Sequence, residues 1–153
     1  AIQLKAIAEF AKRMARAKAK KGLSFHDPYS VADYYMERFR HECVEHILLL
    51  FLDSGYHLIG EEILSKGTAN ASLLSSREVF SKAFRNGAAG IMLLHNHPGG
   101  NPVPSENDLL VTERIGRTGA LTDIPLVDHI ILGDNNYFSF RESKLLTDMS
   151  IEM

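Results

Sequence analysis

The sequence has little cysteine, no tryptophan and no long hydrophobic run. The lone cysteine, Cys43, has no partner in the chain for a disulfide, which fits a reducing compartment. The longest apolar run, 47–52, has the length of a strand and falls far short of the ~20 residues of a membrane-spanning helix. The sequence shows no positively charged leader followed by an apolar stretch and a small-residue cleavage site. We therefore expect a cytoplasmic location and no membrane partner.

Charge is distributed unevenly along the 153 residues. The net charge of −2 combines seven Lys or Arg and one acid in residues 1–22 with an excess of acid in the remainder. The first residue is Ala1, and the chain opens inside a helical pattern. We expect a fragment or processed chain that has lost an upstream segment. The length and the 45% hydrophobic content suit one globular domain with a sizeable core.

Composition shifts divide the chain into a basic amphipathic linker helix (1–22), a linker (23–29) and a compact domain (30–148). Apolar residues at helical spacing predict the first helix from residue 2 to about 20, with Gly22 as its stop. Ser30 and Asp33 are expected to cap a second helix.

Within the compact domain, Ser75 and Glu78 are expected to form a capping box for a helix over 76–86 that ends at Gly87. A polar connection (67–75) precedes it. Another helix opens at Ser105. Apolar runs predict strands over about 45–52, 56–64, 88–94, 127–132 and 137–140. The sum is a mixed α/β or α+β domain.

The chemistry concentrates where the third of these strands ends, in His95-Asn96-His97 followed by a Gly/Pro-rich loop and Asp108. Two histidines at i and i+2 of a strand end point to the same side, so their imidazoles can converge on one ion. Asp108 falls in the first turn of the next helix. Two nitrogens and one carboxylate oxygen leave a fourth tetrahedral position for water, as in a catalytic zinc site.

Each of these residues also has a simpler interpretation. Ser105 and Asp108 alone would be read as a helix capping box, and His95 alone as a core or surface histidine. The joint occurrence of strand, His-x-His, tight loop, Ser and Asp favours the metal site. A cap and a metal ligand are compatible, because a capped first turn aims Asp108 rigidly. His129, beside Asp128, could contact the metal ligands from behind, but a strand-end histidine with a neighbouring acid is more often structural.

His-x-His-Pro followed by Ser-x-x-Asp at this distance resembles the JAMM (MPN+) signature of zinc isopeptidases. The longer string, residues 95–105, is similar to the bacterial RadC branch of that family. So are Gly67-Thr68, Ser76-Arg77-Glu78-Val79-Phe80 and the stretch 128–134. The resemblance covers about residues 30–145, and it departs only at Gly99, where the branch usually has Ser.

This resemblance implies a fold and a metal site. The fold is a curved mixed β-sheet flanked by helices, similar in outline to cytidine deaminases. One zinc ion is held by His95, His97 and Asp108, while Ser105 steadies the oxyanion. Zinc activates a water molecule that attacks a peptide or isopeptide amide, so the implied partner is a peptide or protein substrate.

A glutamate serves as the general base in the family. By its place ahead of a hairpin's first strand, it maps to Glu45. Glu61 and Glu62 on the return strand are the alternatives.

Three other functions remain open. Proteins of the RadC branch carry a DNA-repair name, and the basic helix over 1–22 can lie against phosphates. The acidic remainder argues against DNA binding by the compact domain itself. A non-catalytic MPN scaffold would be expected to have lost its ligands, which are complete here. A zinc deaminase would need a Cys-x-x-Cys pair that this sequence lacks.

Overall fold

The structure, a computed structural model, describes residues 2–21, 25–67 and 74–146 of the chain. The helices and strands are, in chain order, α1 (Ile2–Lys21), α2 (Pro28–Phe39), β1 (Glu45–Leu52), β2 (Leu58–Gly67), α3 (Ser76–Arg85), β3 (Gly90–Asn96), α4 (Glu106–Thr122), β4 (Leu126–Leu132) and β5 (Tyr137–Ser139). Within the described ranges, no helix combines the length and the apolar composition that a membrane crossing requires.

The five strands form one mixed sheet in the order β2-β1-β3-β4-β5. β1 is antiparallel to both β2 and β3, β3 is parallel to β4, and β4 is antiparallel to β5. Helices flank this sheet. The predicted fold class, a mixed sheet with flanking helices, is therefore confirmed.

Helices cover both faces of the central strands. Every residue of β3 and β4 is buried, as is every residue of β1 after Glu45. Leu49 packs with α3 and α4 on one face, and Leu48 packs with α2 on the other. Burial on both faces explains why these strands read as continuous apolar runs without alternation.

The topology brings three segments to one end of the sheet. Because β1 and β3 are antiparallel, with Ile47 opposite His95, the start of β1 lies beside the end of β3. The chain leaves β3 at Asn96, returns as α4 from Glu106, and then enters β4 parallel to β3. The first turn of α4 therefore reaches the same end of the sheet.

The predicted cap of the second helix is wrong. α2 begins at Pro28, and its N-cap is Asp27, whose carboxylate accepts hydrogen bonds from the amides of Tyr29 (3.1 Å) and Ser30 (3.3 Å). Ser30 itself donates its hydroxyl to Asp27. Asp27 takes the cap because the fixed φ of Pro28 suits the first helical position.

The predicted capping box at Ser75 and Glu78 is also absent. Ser75 occupies the N-cap position of α3, but its side chain makes no capping hydrogen bond. Glu78 instead approaches Lys82 one turn along the same helix, at 4.0 Å. The predicted stop of this helix is confirmed, because Gly87 follows the C-cap residue Asn86 with φ +62°.

Two strands differ from their predicted bounds by two or three residues at each end, and β2 continues to Gly67, the predicted start of the polar connection. β2 begins at Leu58, because the Asp53 carboxylate accepts hydrogen bonds from the amides of Gly55 and His57 and extends the turn. β3 begins at Gly90, because the amide of Ala88 still donates to the end of α3. The predicted stop at Gly22 and residues 68–73 of the predicted polar connection lie outside the described residues.

Candidate metal centre

Four predicted site residues meet where β1 begins and β3 ends. Glu45 is the first residue of β1, His95 is the penultimate residue of β3, and His97 follows that strand directly. Asp108 is the third residue of α4. His95 and Asp108 are buried, whereas Glu45 and His97 are partly accessible. The cluster therefore has a buried floor and an accessible side.

The loop after His97 fixes the orientation of its ring. The His97 Nδ1 lies 2.8 Å from the carbonyl oxygen of Asn101, to which it donates when it carries the proton. The loop is held in turn by Gly100, whose amide donates to the His97 carbonyl and whose carbonyl accepts from the Asp134 amide. Gly100 has φ +89°, a conformation that favours glycine. This tautomer leaves the His97 Nε2 lone pair available for a metal.

Asp108 is held by the capping box that the sequence predicts. Its Oδ2 accepts from the Ser105 amide at 2.8 Å, and the Ser105 hydroxyl oxygen accepts from the Asp108 amide at 3.1 Å. The exposed Ser105 hydroxyl uses only an oxygen lone pair in this bond, so its hydrogen can be donated elsewhere. The same box therefore orients a carboxylate and presents a hydroxyl donor.

His95 supplies the clearest sign of a missing partner. It is 2% exposed, and neither of its ring nitrogens makes a hydrogen bond among the described residues. Its Nδ1 lies 3.3 Å from Asp108 Oδ1, and its Nε2 lies 3.6 Å from Glu45 Oε2. Buried polar atoms are rarely left unsatisfied, so this ring is suited to a ligand.

Asp108 approaches each histidine through a different carboxylate oxygen. Ligand atoms at ~2.0–2.1 Å from a tetrahedral zinc lie about 3.3 Å apart. Asp108 Oδ2 is 3.3 Å from His97 Nε2, and Asp108 Oδ1 is 3.3 Å from His95 Nδ1. Among the described residues, the group whose single donor atoms all lie within 4.8 Å of one another is Glu45, His95 and His97, and Asp108 is not part of it. The imidazole and carboxylate donors are those that zinc prefers.

Electrostatics also prepare these groups for a cation. Burial lowers the pKa of His95, which favours the neutral imidazole that binds metals. The Asp108 carboxylate raises the pKa of His97 through their direct contact. Burial opposes ionisation of Asp108, but contacts with His97 and Ser105 outweigh it and lower the pKa of that carboxyl. A metal ion at this site would therefore replace a proton on His97.

His129 and Thr112 contact the cluster from the interior of the domain. The sequence offers both interpretations of His129 and no signal for Thr112. The Thr112 hydroxyl donates to the Asp108 carbonyl at 2.6 Å and lies 2.7 Å from His129 Nδ1. The His129 ring stacks on His95, with centroids 5.9 Å apart. Burial lowers the pKa of His129 to about 3, so this ring is neutral. A pattern search cannot find these contacts, because they join residues that are distant in sequence.

Glu61 and Glu62 are engaged elsewhere. Glu61 accepts a hydrogen bond from the Tyr35 hydroxyl at 2.6 Å and pairs with Arg38, both on α2. Glu62 pairs with Lys82 of α3 at 3.1 Å. Within the described residues, neither belongs to the group of potential ligands around His95. Glu45 is thus the predicted glutamate that adjoins the histidines.

A cleft of about 620 Å³ opens beside His97. The end of α2, the loop after His97 and the turn between β4 and β5 form its walls. Most of its lining side chains are polar, including Arg40, Asn101 and Asn135. Of the cluster residues, His97 lines this cleft, while Glu45, His95 and Asp108 do not.

Known proteins similar to this chain identify its family. A family model described as RadC-like JAB domain matches residues 25–145, which include every residue of the cluster. UPF0758 proteins of Bacillus cereus, Bacillus mycoides and Bacillus anthracis are each 39% identical to this chain over 142 residues. The alignments cover 93% of this chain and 63% of each relative, so the chain spans a little under two thirds of their length. With a match over most of its length, this protein belongs to the RadC-like JAB domain family.

Proposed function

We propose that this protein is a zinc-dependent hydrolase of the JAMM type that cleaves a peptide or isopeptide amide. The observation that carries the proposal is the convergence of His95, His97 and Asp108, with His95 buried and without a hydrogen-bond partner. A carboxylate that is not needed to complete this ligand set, Glu45, adjoins it. Catalytic zinc sites typically have three protein ligands and an open position for water, with a neighbouring group that accepts the proton of that water.

His95, His97 and Asp108 would hold the zinc. When bound, zinc supplies Lewis acidity and lowers the pKa of water toward ~7. Two of these ligands have an independent support: His97 is oriented by Asn101, and Asp108 by Ser105. Such contacts behind the ligands keep the donor atoms in place before the metal arrives.

Glu45 and Ser105 would divide the proton transfer and the charge stabilisation. Glu45 accepts a proton from the attacking water and passes it to the leaving amine, as its position 3.6 Å from the His95 ring permits. The Ser105 hydroxyl donates to the oxygen of the substrate amide as negative charge develops there. The cleft beside His97 would hold the chain on one side of the scissile bond.

Metal analysis of purified protein, with and without added zinc, tests this proposal. We expect about one zinc per chain in the wild type and none in His97→Ala. His57→Ala is the matched control, because His57 is an exposed turn residue that pairs with Asp53. Zinc-loaded wild type is then screened against peptides and isopeptide-linked conjugates. A wild type that binds no zinc, or that binds it and cleaves neither class of amide, would overturn the proposal.

A further inference from the structure

Asn96 separates the two histidines in sequence and lies on the opposite face of the sheet from His95. Successive side chains of a strand alternate between faces, so Asn96 points toward α2. There it is 4% exposed and lines the cleft with Met36 and Phe39. It is therefore turned away from the metal, and its role must be sought in what it contacts.

The side-chain amide of Asn96 forms hydrogen bonds with the backbone on both sides of Glu45. Its Oδ1 accepts from the His46 amide at 2.6 Å, and its Nδ2 donates to the Val44 carbonyl at 3.1 Å. The His46 ring is fixed at the same place, with its Nδ1 3.0 Å from the Val44 carbonyl oxygen. One amide thus satisfies the two backbone groups that flank Glu45.

These hydrogen bonds take the place of a missing backbone pair. On the β3 side, the pairing of described residues with β1 stops at Ile47 and His95. The His97 amide faces β4, as the Ile91 amide does, and donates to the Leu132 carbonyl. The His46 amide, one residue before Ile47, is tied to β3 through a side chain. Asn96 supplies that tie, because its amide offers the same donor and acceptor as a peptide group.

We propose that Asn96 is a positioning residue that fixes the Glu45 carboxylate relative to His95 and His97. This inference rests on the proposed function, since it assigns the position of the proposed base. Asn96 is bonded to His95 in the chain, and its two hydrogen bonds hold Val44 and His46, the neighbours of Glu45. It therefore links the backbone that carries the proposed base to the backbone that carries the histidines. A displacement of about 1 Å in such a group costs on the order of 100-fold in rate.

Cobalt-substituted protein tests this without a substrate. The pH titration of the cobalt visible absorption is recorded for the wild type, Glu45→Gln, Asn96→Ala and Asn96→Asp. Asn96→Asp keeps the acceptor for His46 but cannot donate to Val44. Leu94→Ala is the control. Leu94 is buried two residues earlier in β3, on the same face of the sheet as Asn96, and its side chain forms no hydrogen bond to the backbone around Glu45.

We expect both Asn96 variants to bind one cobalt and to shift the titration toward that of Glu45→Gln, while Leu94→Ala keeps the wild-type titration. Once a substrate is in hand, kcat should fall about 100-fold with KM nearly unchanged. Wild-type titrations in both Asn96 variants would overturn the inference. Loss of cobalt from both, with Leu94→Ala still loaded, would also overturn it, because Asn96 would then be needed for metal binding itself. A wild type that binds no cobalt overturns the proposed function itself, and this is seen before any variant is compared.

Discussion

Glu45 differs from the other acidic candidates in its surroundings, and a substitution can separate its role from theirs. We expect Glu45→Gln to lower turnover by ~10²–10⁴-fold, because the amide cannot accept the proton that the carboxylate would take. Zinc content should stay at one per chain, since His95, His97 and Asp108 are retained. Kinetics and metal analysis of the same preparation measure both quantities.

The control for this prediction is Glu62→Gln, which removes a carboxylate that pairs with Lys82 on α3. It should leave both turnover and zinc content unchanged. Full activity in Glu45→Gln would contradict the assignment of the base. Loss of zinc from Glu45→Gln would instead make Glu45 a ligand, as its proximity to both histidines permits.

Asp108 serves both the helix cap and the proposed ligand set, and an isosteric substitution separates the two. Asp108→Asn retains an oxygen that accepts from the Ser105 amide but loses the charge that favours a cation. We expect zinc at 100 times its dissociation constant to stabilise the wild type by about 2.7 kcal/mol. The variant should lose most of that gain, while its metal-free stability stays within ~1 kcal/mol of the wild type. Urea unfolding with and without zinc measures this, and an equal zinc effect in both proteins would contradict it.

The sequence identifies the side chains that could bind a metal, but it does not identify the residues that position the site. His95, His97 and Asp108 follow from spacing, because strand alternation and the helix start dictate their directions. The bonds of Asn96 reach a backbone 50 and 52 residues away. The sequence does not reveal these partners, because the His46 amide and the Val44 carbonyl are peptide groups of a kind that every position offers.

Helix starts show the same difference between composition and geometry. Ser-x-x-acid occurs near three helix starts, at 30–33, 75–78 and 105–108, yet only the motif at 105–108 forms a capping box. At that site, the Ser105 amide and the Asp108 carboxylate face each other within 2.8 Å. Whether the capping hydrogen bonds form depends on the rotamers of the two side chains. The pattern therefore predicts where a helix begins more securely than how it is capped.

Stability measurements can distinguish the caps. Asp27→Ala removes the side chain that accepts from two amides at the start of α2, and we expect its Tm to fall by about 2–4 °C. Ser75→Ala removes an exposed side chain that caps nothing, so its Tm should stay within about 1 °C of the wild type. Thermal unfolding followed by circular dichroism compares the two. Equal losses would contradict the assignment of the caps.

For the molecule as a whole, apolar runs revealed the central strands but not their order. Burial on both faces makes β1, β3 and β4 readable as apolar segments. The sequence does not state that β3 lies between β1 and β4, because pairing depends on contacts between distant segments. The one local hint is the predicted β1–β2 hairpin, which the register confirms. This order places Glu45 beside His95, so the site depends on the topology.

Asp128 links β4 to the turn after β5, and it should make the stability of the whole domain depend on pH. Its carboxylate accepts from the Ser139 hydroxyl (2.6 Å) and from the amides of His129 (2.7 Å) and Arg141 (3.0 Å). Burial outweighs these bonds and raises the pKa of Asp128 to about 6. In the unfolded chain its pKa is about 3.9. The folded state therefore binds more protons between these values, and this contribution to stability is lost as pH rises from about 4 through 6.

The comparison protein is Asp128→Asn, which has no proton to lose at this position. The unfolding free energy of the wild type, relative to that of Asp128→Asn, should fall by about 2 kcal/mol between pH 4 and pH 7. Urea titrations at a series of pH values measure the difference, with a chelator present because zinc binding adds its own pH dependence through His97. A constant difference across this range would mean that the three donors hold Asp128 ionised in the fold. In that case hydrogen bonding, and not burial, sets the charge of this residue.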